Sequence, residues 1–202
     1  MATAVKTEIR PPATMSDDEF IAFYDRRPRG ERWQLIDGDV VMMTPPKQRH
    51  QWIGGNLAMA LNTHFWEHRP ELRALHEIGI IVPGVPRFRP TCDVGVIDNL
   101  VDLDMVWADR FLLVTEILSD SNSPKQVERK RQRYVQHPDN LYVLVIAQIE
   151  VRVDVWSRAS NWQQVTLTSL DDAIELPEFG FSMPLSRLYA GTPLGRPTPP
   201  PP

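Results

Sequence analysis

Cysteine is nearly absent from this chain: Cys92 is the only one in 202 residues. One cysteine cannot form an intrachain disulfide, which fits a reducing compartment. Long apolar runs are missing too, and nothing approaches the length of a membrane span. The N-terminus carries Lys6, Glu8 and Arg10 but no apolar core of a secretory signal. The expectation is a soluble cytoplasmic protein. Excess positive charge is also lacking. The formal net charge of −4 argues against a general coat for polyanions, although a local basic patch could still bind nucleic acid. The chain has no Walker loop, no dinucleotide fingerprint, no nucleophile elbow and no internal repeat.

What remains is an ordinary globular composition, 42% apolar and 24% charged, enough for one domain with a full core. The expected organisation is a flexible lead over 1–15, one domain over 16–190 and an extended tail over 191–202. Six of the last ten residues are proline.

Ser16-Asp-Asp-Glu19 is a capping box and predicts a short helix over 17–26. Trp33–Met43 reads as a hairpin, with Asp37-Gly38 suited to a primed turn. Ile53, Leu57, Ala60, Leu61 and Phe65 form a stripe that predicts a helix from His50 to Glu67. Gly54-Gly55 weakens its first turns or lets another backbone come close. Strands are expected over 72–82, 91–98, 111–118, 141–147, 151–156 and 162–168. Ser123-Pro124 starts a helix that Pro138 ends. This order predicts an α/β protein of the α+β type, a mixed central sheet flanked by helices. It lacks the alternation of a doubly wound fold.

The chemistry concentrates between Asp93 and Lys130. Phe111-Leu-Leu-Val-Thr-Glu-Ile-Leu118 is an apolar run with one acid, Glu116, and reads as a central strand covered on both faces. A buried carboxylate is costly without a cation, a metal or hydrogen bonds. Asp93 lies on the preceding long strand, so the two acids can be neighbours and hold a hard divalent ion, with the Ile117 carbonyl as a further oxygen ligand. On the helical wheel Val127, Lys130, Arg131 and Tyr134 share the sheet-facing side, while Arg129 and Arg133 point away. Two readings stand: a metal site assisted by Lys130, or a plain Glu116–Lys130 ion pair that seats the helix.

Gln34-Leu-Ile-Asp-Gly-Asp-Val-Val-Met-Met-Thr-Pro-Pro46 resembles the opening signature of the Uma-two family of restriction-endonuclease-like proteins, which have the PD-(D/E)XK fold. His50-Gln51, Asp93-Val94, Thr115-Glu-Ile-Leu-Ser119, Lys130-x-x-x-Tyr134 and the strands 140–146 and 151–156 are similar in order and spacing, over residues 16–190. The resemblance implies a restriction-endonuclease-like core and a metal-dependent endonuclease hydrolysing DNA phosphodiesters. It implies Mg²⁺ or Mn²⁺ on Asp93, Glu116 and Ile117, with Asp93, Glu116 and Lys130 catalytic and Lys130 assisting the metal-activated water. Gln34, His50 and Tyr134 would line the cleft, and Arg29, Arg32, Lys125 and Arg131 would meet phosphates. A homodimer is implied as well. The departures are Gln34 where the family commonly has Glu, Cys92 where proline is usual, Gln126 where an acid often stands, and Ser119–Ser123 in place of the common serine–proline form. The alternative function is a non-catalytic binding or assembly protein on the same scaffold.

Two further signals carry less. His64-Phe-Trp-Glu-His68 fits an inverted zinc-peptidase pattern but ends an ordinary amphipathic helix. Trp33, Trp156 and Trp162 read as packing residues rather than base-stacking platforms.

Overall fold

The computed structural model describes residues 14–28, 30–100, 102, 104–119 and 123–195. A seven-stranded mixed sheet organises it, in the order β5-β3-β4-β6-β7-β8-β9. These strands are β3 (Leu72–Ile80), β4 (Thr91–Asp98), β5 (Trp107–Ala108), β6 (Leu113–Ile117), β7 (Tyr142–Ile146), β8 (Val153–Ser157) and β9 (Gln164–Leu167). β6 and β7 are parallel and lie at the centre, and every residue of both is buried. Two-sided burial is what their uninterrupted apolar sequence requires. A parallel pair needs a crossover, and α3 (Pro124–Tyr134) supplies it.

One face of the sheet is covered by α2 (Gln48–His68), the hairpin β10 (Ala173–Leu176)–β11 (Phe181–Pro184) and the short α4 (Leu185–Leu188). Ile53, Leu57, Leu61 and Phe65 of α2 are fully buried there. Burying each stabilises by about 1.5–3 kcal/mol. Gly54 lets the helix seat closely, since a Cβ would stand 3.3 Å from Ile117 Cδ1 and 3.4 Å from His76 Cε1. The opposite face carries α3 and the hairpin β1 (Trp33–Ile36)–β2 (Asp39–Met42), led by α1 (Asp17–Tyr24). Asp37 and Gly38 both have positive φ, 51° and 95°, as a primed turn demands.

The helix starts are built as the sequence predicts. Ser16 and Glu19 form a reciprocal capping box. Ser123 caps α3 with Pro124 at its first position, and Gln126 closes a second capping box there. That gives Gln126 a structural use at a position where an acid was expected. Three features go beyond the sequence reading. Thr14 and Met15 are part of the domain: Thr14 bridges to Asp39, and Met15 is buried with its N–H on the Gly38 carbonyl. The hairpin β10–β11 and the two-residue β5 were not foreseen. Residues 1–13 of the expected lead and 196–202 of the expected tail lie outside the described residues. No helix among the described residues is long and apolar enough to cross a membrane.

Candidate functional site

β4 and β6 pair antiparallel from Val96↔Leu113 to Val94↔Thr115, and there the pairing stops. Asp93 and Glu116 occupy the next register positions, opposite each other where the strands part. Asp93 Oδ2 accepts the Ile117 N–H, a donor the ladder no longer pairs. The same oxygen lies 3.2 Å from His50 Nε2, on the first turns of α2. The two acids expected to be neighbours are therefore brought together by the ladder itself.

Glu116 is buried and both of its oxygens are engaged. Lys130 Nζ donates to Oε2 at 2.7 Å, and the Tyr134 hydroxyl donates to Oε1 at 2.7 Å. The ammonium also donates to the Thr91 carbonyl at 3.0 Å. Val127, Lys130 and Tyr134 face the sheet together, as the wheel predicts. Burial pushes the Glu116 carboxyl up; Lys130 opposes this and the Asp93 charge adds to it, so the group titrates above the usual range. Burial, then the charge of Glu116, pushes the Tyr134 phenol well up, so it stays a donor. His50 is pulled down by burial, but its bond to Asp93 and the charges of Asp93, Glu77 and Glu116 outweigh that and raise it. Cys92 is fully buried and burial drives its thiol up, which makes it an inert core residue.

These groups form one wall of a cavity of about 330 Å³. Gln34, His50, Asp93, Glu116, Ile117 and Lys130 line it, together with Met42 at the end of β2 and Met43, Pro45 and Pro46 of the loop after it. Gln34 offers its amide oxygen to the Thr91 N–H at 3.5 Å, a long contact. Tyr134 stands apart from the other expected cleft residues. It is fully buried beneath Glu116 and supports the carboxylate from behind.

The basic residues are placed less favourably for phosphates. Arg32 pairs with Glu77 at 2.6 Å. Arg131 pairs with Glu128 and lies over the Trp156 ring, so it does not reach the site as the wheel suggested. Lys125 is exposed on the first turn of α3, and Arg29 lies outside the described residues. Arg129 and Arg133 do point away from the sheet, but not into solvent. They bind Asp37, with Arg129 also on Asp39 and the Ile36 carbonyl, because the β1–β2 turn packs beside α3.

Glu77 was missed. It lines the cavity and sits opposite Asp93 in the β3–β4 register, between the pairs His76↔Val94 and Ile78↔Cys92. Its φ of 53° is left-handed, which is costly for a non-glycine residue inside a strand and common near functional sites. An acid in a half-polar strand gives no local signal of this. In the His64–His68 motif, His64 Nε2 is taken by the Phe179 carbonyl at 2.9 Å.

Among the described residues no three His, Cys, Asp or Glu side chains converge where a metal could sit. Mg²⁺, however, is commonly held by one or two carboxylates, with waters and substrate phosphate completing its shell. Asp93, Glu116 and the Ile117 carbonyl are hard oxygen donors of that kind. A carboxylate has about four lone-pair sites, so the bonds from Lys130 and Tyr134 leave Glu116 further acceptor capacity. The donor set therefore fits a hard divalent ion.

No curated protein matches the chain. A crystal structure from Anabaena variabilis ATCC 29413, described as a "putative nuclease belonging to DUF820", superposes with a TM-score of 0.70 over 87% of this chain and 98% of that one. At 17% identity this likeness establishes the fold alone. The family described as "Uma2: Putative restriction endonuclease" matches residues 17–186, from the start of α1 into α4, and the chain belongs to that family.

Proposed function

We propose that this protein is a metal-dependent endonuclease that hydrolyses DNA phosphodiester bonds. One observation carries the reading: two carboxylates face each other where β4 and β6 part, with a buried lysine on one of them, at the wall of an open cavity. Asp93, Glu116 and the Ile117 carbonyl would hold Mg²⁺ or Mn²⁺. Such an ion, when bound, supplies an acidified water and charge for the phosphoryl oxygens. Lys130 keeps its ammonium inside the cavity, held by Glu116 and the Thr91 carbonyl, where negative charge on phosphorus would grow. His50 holds Asp93 Oδ2 through Nε2 and fixes the carboxylate against the end of the strand. Tyr134 fixes Glu116 from below. None of these groups is on a free loop, which favours preorganisation.

A second reading has its own support. Gln34 brings no charge to the site, and Arg32, Arg129, Arg131 and Arg133 are each paired with a carboxylate. In that reading the scaffold binds a partner without cleaving, and Glu116–Lys130 is structural.

Cleavage of single- and double-stranded DNA with Mn²⁺ and with chelator, by wild type, Glu116→Gln and Lys130→Met, tests the first reading. The expected loss in each variant is about 100-fold or more. Thermal unfolding with Mn²⁺ separates the two readings, because only a native metal site raises the midpoint in wild type and not in Glu116→Gln. Equal cleavage by wild type and Glu116→Gln would sink the assignment. No Mn²⁺ shift in either protein would favour the binding scaffold.

A further inference from the structure

The candidate site is recessed rather than laid open. Glu116 and Lys130 are each 5% exposed and His50 8%, so these groups belong to the inner wall of the cavity and not to its rim. Met42, 53% exposed, marks its open side. The volume, about 330 Å³, is at the small end of pockets that enclose single small molecules, roughly 300–1,000 Å³. Space of that size takes a nucleotide. It does not take a double helix, which is a stiff, stacked rod that carries its phosphates on the outside. To bring a phosphorus atom down to Asp93 and Glu116, the neighbouring nucleotide has to leave the stack and enter as well. An unpaired strand does this freely, whereas a duplex must first lose pairing and stacking.

The lining has the chemistry of a base pocket as much as of a phosphate site. Met42, Met43, Pro45 and Pro46 present apolar surface within reach of the same cavity. Thioethers pack well on aromatic rings, and an extruded base is commonly held between aromatic or apolar side chains. Gln34 and Thr44 add neutral donors and acceptors that suit a base edge. Charge points the same way. Duplex binding draws most of its affinity from cations that neutralise several phosphates. Here Arg32, Arg129, Arg131 and Arg133 each hold a carboxylate, and Arg49 donates to the Gln148 carbonyl. The lining itself sets Lys47 and Lys130 against Glu77, Asp93 and Glu116. A duplex gains little from such a surface, while a base gains burial. We infer that the substrate is an unpaired DNA strand, with the nucleotide beside the scissile phosphate unstacked and its base packed on Met42, Met43 and the Pro45-Pro46 turn. The inference rests on the endonuclease reading and names its substrate.

One labelled oligonucleotide, offered to the full chain with Mn²⁺ as a single strand, as a full duplex and as that duplex with a short unpaired bubble, tests it. The single strand and the bubble should be cut at similar rates, and the full duplex about 100-fold more slowly, the factor set by unpairing and unstacking. Binding is measured separately, by fluorescence anisotropy in Ca²⁺, another hard cation that takes oxygen ligands. It should follow the same order. Its log–log salt slope should be shallow, about −1 to −2, because Lys47 and Lys130 are the lysines on the lining. Replacing Met42 and Met43 together by Ala should raise KM for the single strand about tenfold and leave the Mn²⁺ shift of the unfolding midpoint unchanged. Equal cleavage of single strand and duplex overturns the inference and leaves the endonuclease reading standing. So does a salt slope of about −5 or steeper, which would put the DNA on a basic surface outside the cavity. An unchanged KM in the double variant overturns the base contact. Selective binding of the single strand without any cleavage overturns the endonuclease reading instead, and keeps the unpaired strand as the ligand. Neither binding nor cleavage of any form overturns both.

Discussion

One helix, α3, holds two carboxylates in opposite ways. On its inner side Lys130 reaches Glu116, and both side chains are 6% exposed. On its flank Arg129 and Arg133 reach Asp37 at the β1–β2 turn, with side chains 20–39% exposed. The flank pairs remain near water, where Coulomb attraction is cheap to make and cheap to lose. The inner pair has left water, where attraction is strong but each charge depends on the other. The flank contact fastens a turn to a helix. The inner contact keeps charge in a place where a core would otherwise be apolar, which is how a site is paid for in stability.

The comparison breaks most sharply at Lys130. Lys130→Met fills similar space but leaves Glu116 buried without its cation. The expected cost is about 3–5 kcal/mol at neutral pH, measured by urea denaturation in chelator. The cost should shrink in acid, where Glu116 takes a proton. Adding Glu116→Gln should return most of the stability, since replacing both charges is often neutral. A single variant as stable as wild type at pH 7 would mean that the pair is not the isolated buried unit its geometry suggests.

Much of this site was legible because its logic is local. Glu116 is one acid in an apolar strand, Lys130 lies on the same helical face as Val127 and Tyr134, and Asp93 lies on the strand that precedes β6 across an irregular loop. Burial and periodicity suffice for the first two, while Asp93 rests on the expectation that successive strands are neighbours. The unread parts depend on what folds against them. Arg129 and Arg133 point away from the sheet-facing side as the wheel has them, but the wheel sees only the sheet and not the turn carrying Asp37 and Asp39 that they meet. Glu77 depends on a left-handed φ inside a strand that no residue type announces. Tyr134 was on the right face but too deep to line the cavity, because α3 seats its fully buried ring beneath Glu116. The β10–β11 hairpin did carry a signal. Phe181-Ser-Met-Pro184 alternates large apolar residues with others directly after Gly180, and the structure buries that strand in the same alternation.

The flank pairs should respond more weakly. Arg129→Ala with Arg133→Ala removes the guanidiniums from Asp37, and the expected loss is about 1 kcal/mol. The loss should fall further at high salt, which screens exposed pairs and leaves Glu116–Lys130 little changed. Urea denaturation at low and high salt measures both. A double variant that loses as much as Lys130→Met would place the turn, rather than the inner pair, at the centre of the domain's stability.

The smallest effect is on slope, and it has opposite signs for the two carboxylates. Burial pushes Asp37 up, but Arg129 and Arg133 outweigh it and hold it below its ordinary value of 3.8. The unfolded state then binds more protons around that pH, so the Asp37 contribution is present above it and is lost as pH falls through the lowered value. Glu116 is raised above its ordinary 4.5 by burial first and by Asp93, despite Lys130. Here the folded state binds the extra proton, so its contribution favours the fold in acid and declines as pH rises from 4.5 through the raised value. Stability curves against pH in chelator should therefore diverge. Asp37→Asn should lose the decline below about pH 4, and Glu116→Gln should lose the decline above 4.5. If Glu116→Gln instead steepened the loss at higher pH, the carboxylate would be ionised and stabilising in the fold. The inner pair would then act like the flank pairs despite its burial.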